Sequence, residues 1–177
     1  CALPIFMNEV SFLGARTEET NLFGFDVPAL GRYPIAYVIE PDWSSVSDAE
    51  ARALGVYLRK GGFLIVDDFK ARGGRDAGNV SSPAFQTFAA LMQRVIPGGR
   101  LVDVPATHPI FHAFFEIRSL DDFPQAYING RPVFRGIFED NDTRKRLLAI
   151  VNYNTDISQY WEWSGRGFRP FDDTNEA

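Results

Sequence analysis

Ile35-Ala36-Tyr37-Val38-Ile39, then Ser47-Asp48-Ala49-Glu50, then Gly61-Gly62-Phe63-Leu64-Ile65-Val66 are the stretches that decide how this chain folds. The first and last contain short, continuous apolar runs with β-branched residues, the pattern of strands covered on both faces. Ser47 and Glu50 have the spacing of a capping box. In that motif the serine side chain takes the backbone N–H three residues on, and the glutamate reaches back to the serine's own N–H. A helix is expected to follow, with Ala49, Ala53, Val56 and Tyr57 on its apolar face. Gly61 and Gly62 end it, because glycine enters the left-handed C-cap conformation at little steric cost. Asp67-Asp68 closes the second run. Strand, helix, strand at this length is a βαβ unit, so the two strands should be parallel and the crossover right-handed.

Working outward, Leu22 to Phe25 reads as a short strand. A glycine-rich loop runs from Gly73 to Ser82, where Ser82 caps a second helix and Pro83 takes its first position. Phe85, Phe88, Ala89, Met92, Val95 and Ile96 follow helical spacing, which is a packing stripe and not a cofactor box. Pro97-Gly98-Gly99 stops that helix, and Leu101 to Val104 is the next strand. Pro105 to Phe115 is a turn that carries both histidines. Val133 to Phe138 and Leu147 to Asn152 form a strand pair around Asp140-Asn141-Asp142. Strands alternating with helices predict one α/β domain built as a three-layer sandwich.

The chain has 177 residues, a length that suits a single domain with a sizeable core. Its 16 Phe, 6 Tyr and 3 Trp supply large buried areas, and part of that surface suits a partner. A net charge of -5 argues against nucleic acid, whose phosphates call for a basic face. The basic clusters at Arg72 and Arg75 and at Arg144-Lys145-Arg146 are short and mixed with acids, as solvated turns are. No stretch reaches the roughly 20 apolar residues of a membrane span. The single cysteine is Cys1, so no internal disulfide forms. A chain opening on cysteine has the form of a mature, lipidated bacterial lipoprotein; the alternative is simply that the sequence starts there. An acyl chain on Cys1 would tie the domain to a membrane surface outside the cytoplasm without spanning it.

Several segments, in order, carry a resemblance. They are Arg32-Tyr33-Pro34-Ile35-Ala36-Tyr37, Ser47-Asp48-Ala49-Glu50, Tyr57-Leu58-Arg59-Lys60-Gly61-Gly62-Phe63-Leu64 and Asp67-Asp68-Phe69. Further on stand His108-Pro109-Ile110-Phe111-His112, Gly136-Ile137-Phe138-Glu139-Asp140, Asn152-Tyr153-Asn154-Thr155-Asp156 and Trp161-Glu162-Trp163. From about Leu22 to Trp163 the chain resembles the bacterial domain-of-unknown-function family 4159. The resemblance implies a fold like class I glutamine amidotransferases: a mostly parallel, flavodoxin-like sheet with helices on both faces. It implies no established activity. Members of that family usually extend further at both ends, so the resemblance implies an α/β domain that the sequence spans in whole or in part.

Amidotransferase chemistry needs a cysteine on a strand-to-helix elbow with a histidine and a carboxylate behind it. Cys1 sits in no such elbow, and no G-x-S-x-G elbow offers a serine instead. Asp67 and Asp68 are the strongest candidates for chemistry, because ligands gather at the carboxyl ends of parallel strands. They have the chemistry to hold a divalent cation or act as a general base. The competing reading has one capping the next turn and the other pairing with Lys70, Arg72 or Arg75. His108 and His112 are four apart, but Pro109 disfavours the helix that would set them on one face. Glu116 or Asp103 would have to complete any metal site, and a buried histidine bonded to backbone is the preferred reading. His108 with Asp67 or Asp68 is the acid/base alternative. Asn152, Asn154, Asp156, Trp161 and Trp163 suit a sugar or peptide groove, or else a loop held by its own side chains.

The expectation is therefore a non-catalytic interaction or scaffold subunit, without metal or cofactor, docking on a protein partner outside the cytoplasm. An accessory place in a respiratory or photosynthetic membrane complex fits it. Trp43, Trp161 and Trp163 are the expected anchors, since interface energy concentrates in a few aromatic side chains. Trp43 follows Pro41-Asp42 and precedes a capped helix, which suggests a rigid, exposed loop tip. The rivals are a hydrolase or small-ligand-binding protein using Asp67, Asp68 and His108, and a sugar- or peptide-binding module using Trp161 and Trp163.

Overall fold

The capping box forms as expected: Ser47 Oγ accepts from the Glu50 N–H at 3.2 Å, and a Glu50 carboxylate oxygen accepts from the Ser47 N–H at 2.9 Å. The computed structural model of the chain describes residues 8, 11–12, 14–17, 21–39, 43–69, 83–113, 116–122, 132–153 and 155–158. Its main elements are β1 (Ile35–Ile39), α1 (Asp48–Arg59), β2 (Phe63–Phe69), α2 (Pro83–Val95), β3 (Leu101–Asp103), β4 (Val133–Phe138) and β5 (Leu147–Tyr153). Short 3-10 turns join them, among them Pro109–His112. Leu22 to Phe25 forms no strand; Phe23 and Phe25 instead lean half-buried on the core.

The five strands make one sheet in the order β1-β2-β5-β4-β3. β1 pairs in parallel with β2, with Ile35 opposite Phe63 and Tyr37 opposite Ile65, so the βαβ unit stands. β2 pairs in parallel with β5. β4 is antiparallel to both β5 and β3, and the sheet is mixed where a mostly parallel one was expected. The reason is the connection from β4 to β5. It closes with Glu139 N–H donating to the Arg146 carbonyl at 2.9 Å and puts Asp140 and Asn141 at positive φ, 54° and 57°. A turn that short reverses the chain, whereas a parallel pair needs a crossover of a dozen or more residues.

α1 and α2 lie on one face of the sheet. Leu54 and Leu58 of α1 and Phe88, Leu91, Met92 and Val95 of α2 join Leu64, Val66, Ala149 and Val151 in the main core. The inward face of α1 is Ala51, Leu54, Gly55, Tyr57 and Leu58, while Ala49 and Val56, expected to be buried, face solvent. At Gly55 the helices nearly touch: an added Cβ would sit 2.2 Å from the Val95 carbonyl oxygen. Arg146 closes α1 from β5's side, donating to the Leu58 carbonyl at 2.7 Å and the Gly62 carbonyl at 3.1 Å.

The opposite face has a second, smaller core of Val104, Phe111, Phe134, Phe138, Ile150 and Ile157. Ile110 and Phe111 of the Pro109–His112 turn, together with Ile117 and Leu120, pack on it, and Phe63 and Ile65 of β2 lie against its edge. Ile157 and Ser158, where the chain is α-helical, also lie on this face, and Ile157 is buried in the second core.

Candidate functional site

Asp67 stands near the C-terminal end of β2 and is fully buried. It points to the face opposite the helices, as Phe63 and Ile65 do by strand alternation. Donors from three parts of the chain converge on its carboxylate. The Tyr37 hydroxyl reaches it from β1. Asn152 Nδ2 donates from β5 at 3.3 Å. The backbone N–H groups of Ile157 and Ser158 donate at 3.4 and 3.0 Å. Ser158 Oγ in turn donates to Asp156 at 2.8 Å, and Asn152, Thr155 and Asp156 are all buried. A general base needs a lone pair open to substrate, and a metal ligand needs one open to the cation. This carboxylate spends its acceptors on strand ends and on the segment that follows β5. It does the work of a cap, though for the segment at Ile157 and Ser158 and not for the turn after β2 that the sequence suggested. Asp68 belongs to β2, but its side chain lies outside the described residues.

His108 does not join Asp67. It packs its ring 5.5 Å from that of Phe138, at the far end of β4. Phe138 is level with Leu147, the first residue of β5, whereas Asn152, which touches Asp67, is five residues further along that strand. At about 3.4 Å per residue that is roughly 17 Å. The acid/base pairing of His108 with Asp67 is therefore overturned, because the chain from Val104 doubles back along the sheet before His108 is reached. His108 caps its own turn, Nδ1 accepting from the Ile110 N–H at 3.2 Å. Burial pushes its pKa below the usual value.

His112 Nε2 meets the Ala106 carbonyl at 2.7 Å, the backbone-bonded arrangement preferred from the sequence. Glu116 lies 3.1 Å from Nδ1, off the line a hydrogen bond needs. Asp103 pairs with Arg135 at 2.8 Å. Among the described residues no three His, Cys, Asp or Glu side chains are grouped to hold a metal ion.

Trp43 is not at an exposed tip. Only 6% of it is exposed, and its ring lies 5.0 Å from Phe88 of α2. The 3-10 turn Trp43–Ser45 folds the indole under the helices, so it offers no surface to a partner. Cys1, Trp161 and Trp163 lie outside the described residues.

The surface feature the sequence reading passed over is on β1. Ala36 and Val38 face the helices and pack on the main core. Ile35, Tyr37 and Ile39 therefore face the other way. Ile35 is 54% and Ile39 49% exposed, beside half-buried Phe63 and Ile65 of β2. The parallel register sets Ile35 against Phe63 and Tyr37 against Ile65, making one continuous apolar patch. The signal was present in the run of five apolar residues, which implies two covered faces; it did not say that Ile35 and Ile39 would stay half-exposed.

No helix among the described residues is long and apolar enough to cross a membrane. Over residues 5–177 the chain matches the family model described as a domain of unknown function (DUF4159). No curated protein matches it.

Proposed function

The chain belongs to the DUF4159 family, and we propose that this domain works by contact, as a non-catalytic interaction subunit that docks on a protein partner. The observation that carries the reading is the apolar patch of Ile35, Ile39, Phe63 and Ile65 on the sheet face away from the helices. Contiguous apolar surface of this kind marks interaction sites on soluble domains. Two further features support it. The carboxylate best placed for chemistry, Asp67, is occupied by donors from three parts of the chain, and His108 is held at the other end of the sheet. In this reading the kinship with amidotransferase-like sheets, drawn from the family resemblance, extends to the scaffold and not to the chemistry.

The test replaces Ile35 and Ile39 together with serine. Both are half-exposed, so the thermal melt should be unchanged. Co-purification under mild detergent, quantified by mass spectrometry, should lose one specific protein. Val56→Ser, on the solvent side of α1, is the control and should lose none. A partner list identical for all three proteins would overturn the docking reading.

A further inference from the structure

We infer that the edge of β1 is a self-association site, where two copies of this chain pair their β1 strands antiparallel about a two-fold axis at Tyr37 and join their sheets into one. This rests on the backbone edge of the strand and not on the docking reading above, which concerns the face. Among the described residues β1 is the outermost strand. Phe63 N–H donates to the Pro34 carbonyl at 2.9 Å, and Ile35 stands opposite Phe63. In a parallel pair alternate residues turn their backbone groups to the neighbouring strand. Ala36 and Val38 therefore turn theirs to β2, and Ile35, Tyr37 and Ile39 turn theirs outward. Among the described residues Ile35 and Ile39 make no hydrogen bond on that side.

The two edges of the sheet differ in how they meet solvent. Edges that stay single are kept short, charged, bulged or broken by proline. β3, the opposite edge, has three residues and ends on Asp103, which pairs with Arg135 of the adjoining strand. β1 has five residues, none of them charged or proline, and holds an unbroken register with β2. A second copy fits this edge because the strand is nearly the same read in either direction, with isoleucine at each end and tyrosine at the centre. Antiparallel pairing about Tyr37 sets Ile35 of each copy directly against Ile39 of the other, with Cα atoms about 5.5 Å apart. Two-fold symmetry makes that contact twice. Charge agrees with the direction. In the sequence Arg32 precedes the strand, and Glu40 and Asp42 follow it. The two-fold brings the basic approach of one strand to the acidic exit of the other, whereas a parallel pairing would bring like charges together.

The experiment is analytical ultracentrifugation of the full chain over a range of concentrations, with circular dichroism on each variant. Wild type should form a dimer that dissociates on dilution. Ile39→Pro removes an outward N–H and leaves the ladder to β2 in place, as proline on an edge strand does, and should sediment as a monomer. Two further variants test the register. Ile35→Lys with Ile39→Lys sets like charges opposite one another at both contacts, and Ile35→Lys with Ile39→Glu sets opposite charges there. The first dimer should have a dissociation constant about tenfold or more above that of the second. Net charge works against this order, since the lysine pair brings the acidic chain nearer neutrality. A wild type that is monomeric at every concentration overturns the inference, as does a dimer that survives Ile39→Pro. If Ile39→Pro loses the fold, the two charge variants decide, and equal dissociation constants overturn the pairing.

Discussion

The carboxylate of Asp67 accepts the backbone N–H of Ser158 at 3.0 Å, across 91 positions of sequence. Through it β2 holds the segment after β5, while Tyr37 and Asn152 bring β1 and β5 to the same group. Removing it would leave buried donors unmatched, which costs more than the bonds themselves are worth. Asp67→Ala is expected to lower stability by about 3 kcal/mol, read from urea unfolding. Hydrogen exchange at Ile157 and Ser158 should speed up before exchange elsewhere. A variant of unchanged stability would mean that the carboxylate is not a latch and would return it to consideration for chemistry.

Trp43→Ala should destabilise the fold by about 3 to 5 kcal/mol, as deleting a buried tryptophan does. The indole fills the space beside Phe88 under the helices. Trp43→Phe should recover a good part of the loss. A differential melt of the two variants decides the matter, and an alanine variant that melts like wild type would put the indole back on the surface.

At Gly55 helix propensity and packing oppose one another. Alanine is the better helix former by about 1 kcal/mol, yet its Cβ would stand 2.2 Å from the Val95 carbonyl oxygen, and that backbone cannot turn aside. Packing should win, with Gly55→Ala destabilising by about 2 kcal/mol or more. Gly31→Ala, where the added atom meets nothing within 4 Å, is the comparison and should stay within about 0.5 kcal/mol. Equal melts for the two would mean that α1 and α2 do not approach so closely.

His108 predicts a pH dependence. Burial holds its pKa below the usual 6.5, so the folded state prefers the neutral ring. Stability from this group is complete above 6.5 and is lost as pH falls through the lowered folded value. Protonation also removes the acceptor that caps the Pro109–His112 turn. His108→Asn keeps a good N-cap and removes the titration. Its melting temperature should therefore fall less than wild type's between about pH 7.5 and about pH 5. Parallel curves for the two proteins would exclude His108 as the source.

What could be read without coordinates was local. The capping box needs only Ser47 and Glu50 on neighbouring turns, and the βαβ unit only two apolar runs with a helix between them; both formed where expected. The β4–β5 hairpin was legible for the same reason, since Asp140 and Asn141 carry its left-handed turn. The inward face of α1 was not. Alanine, glycine and valine are spread around that helix, and only the position of the sheet selects Leu54 and Leu58 over Ala49 and Val56.

The candidate site divides along the same line. Sequence alone put Asp67 at the carboxyl end of a parallel strand, and β2 runs only two residues past it. It could not say that the carboxylate would be occupied, because its donors come from positions 37, 152, 157 and 158. Nor could it say that Trp43 would meet Phe88, 45 residues on, or that a turn at Val104 would carry His108 away from Asp67. The apolar run of β1 announced two faces to be covered. Only the tertiary structure decided that α1 and α2 would pack on the same one of them, since the same pattern is satisfied by a cover from any part of this chain or from another.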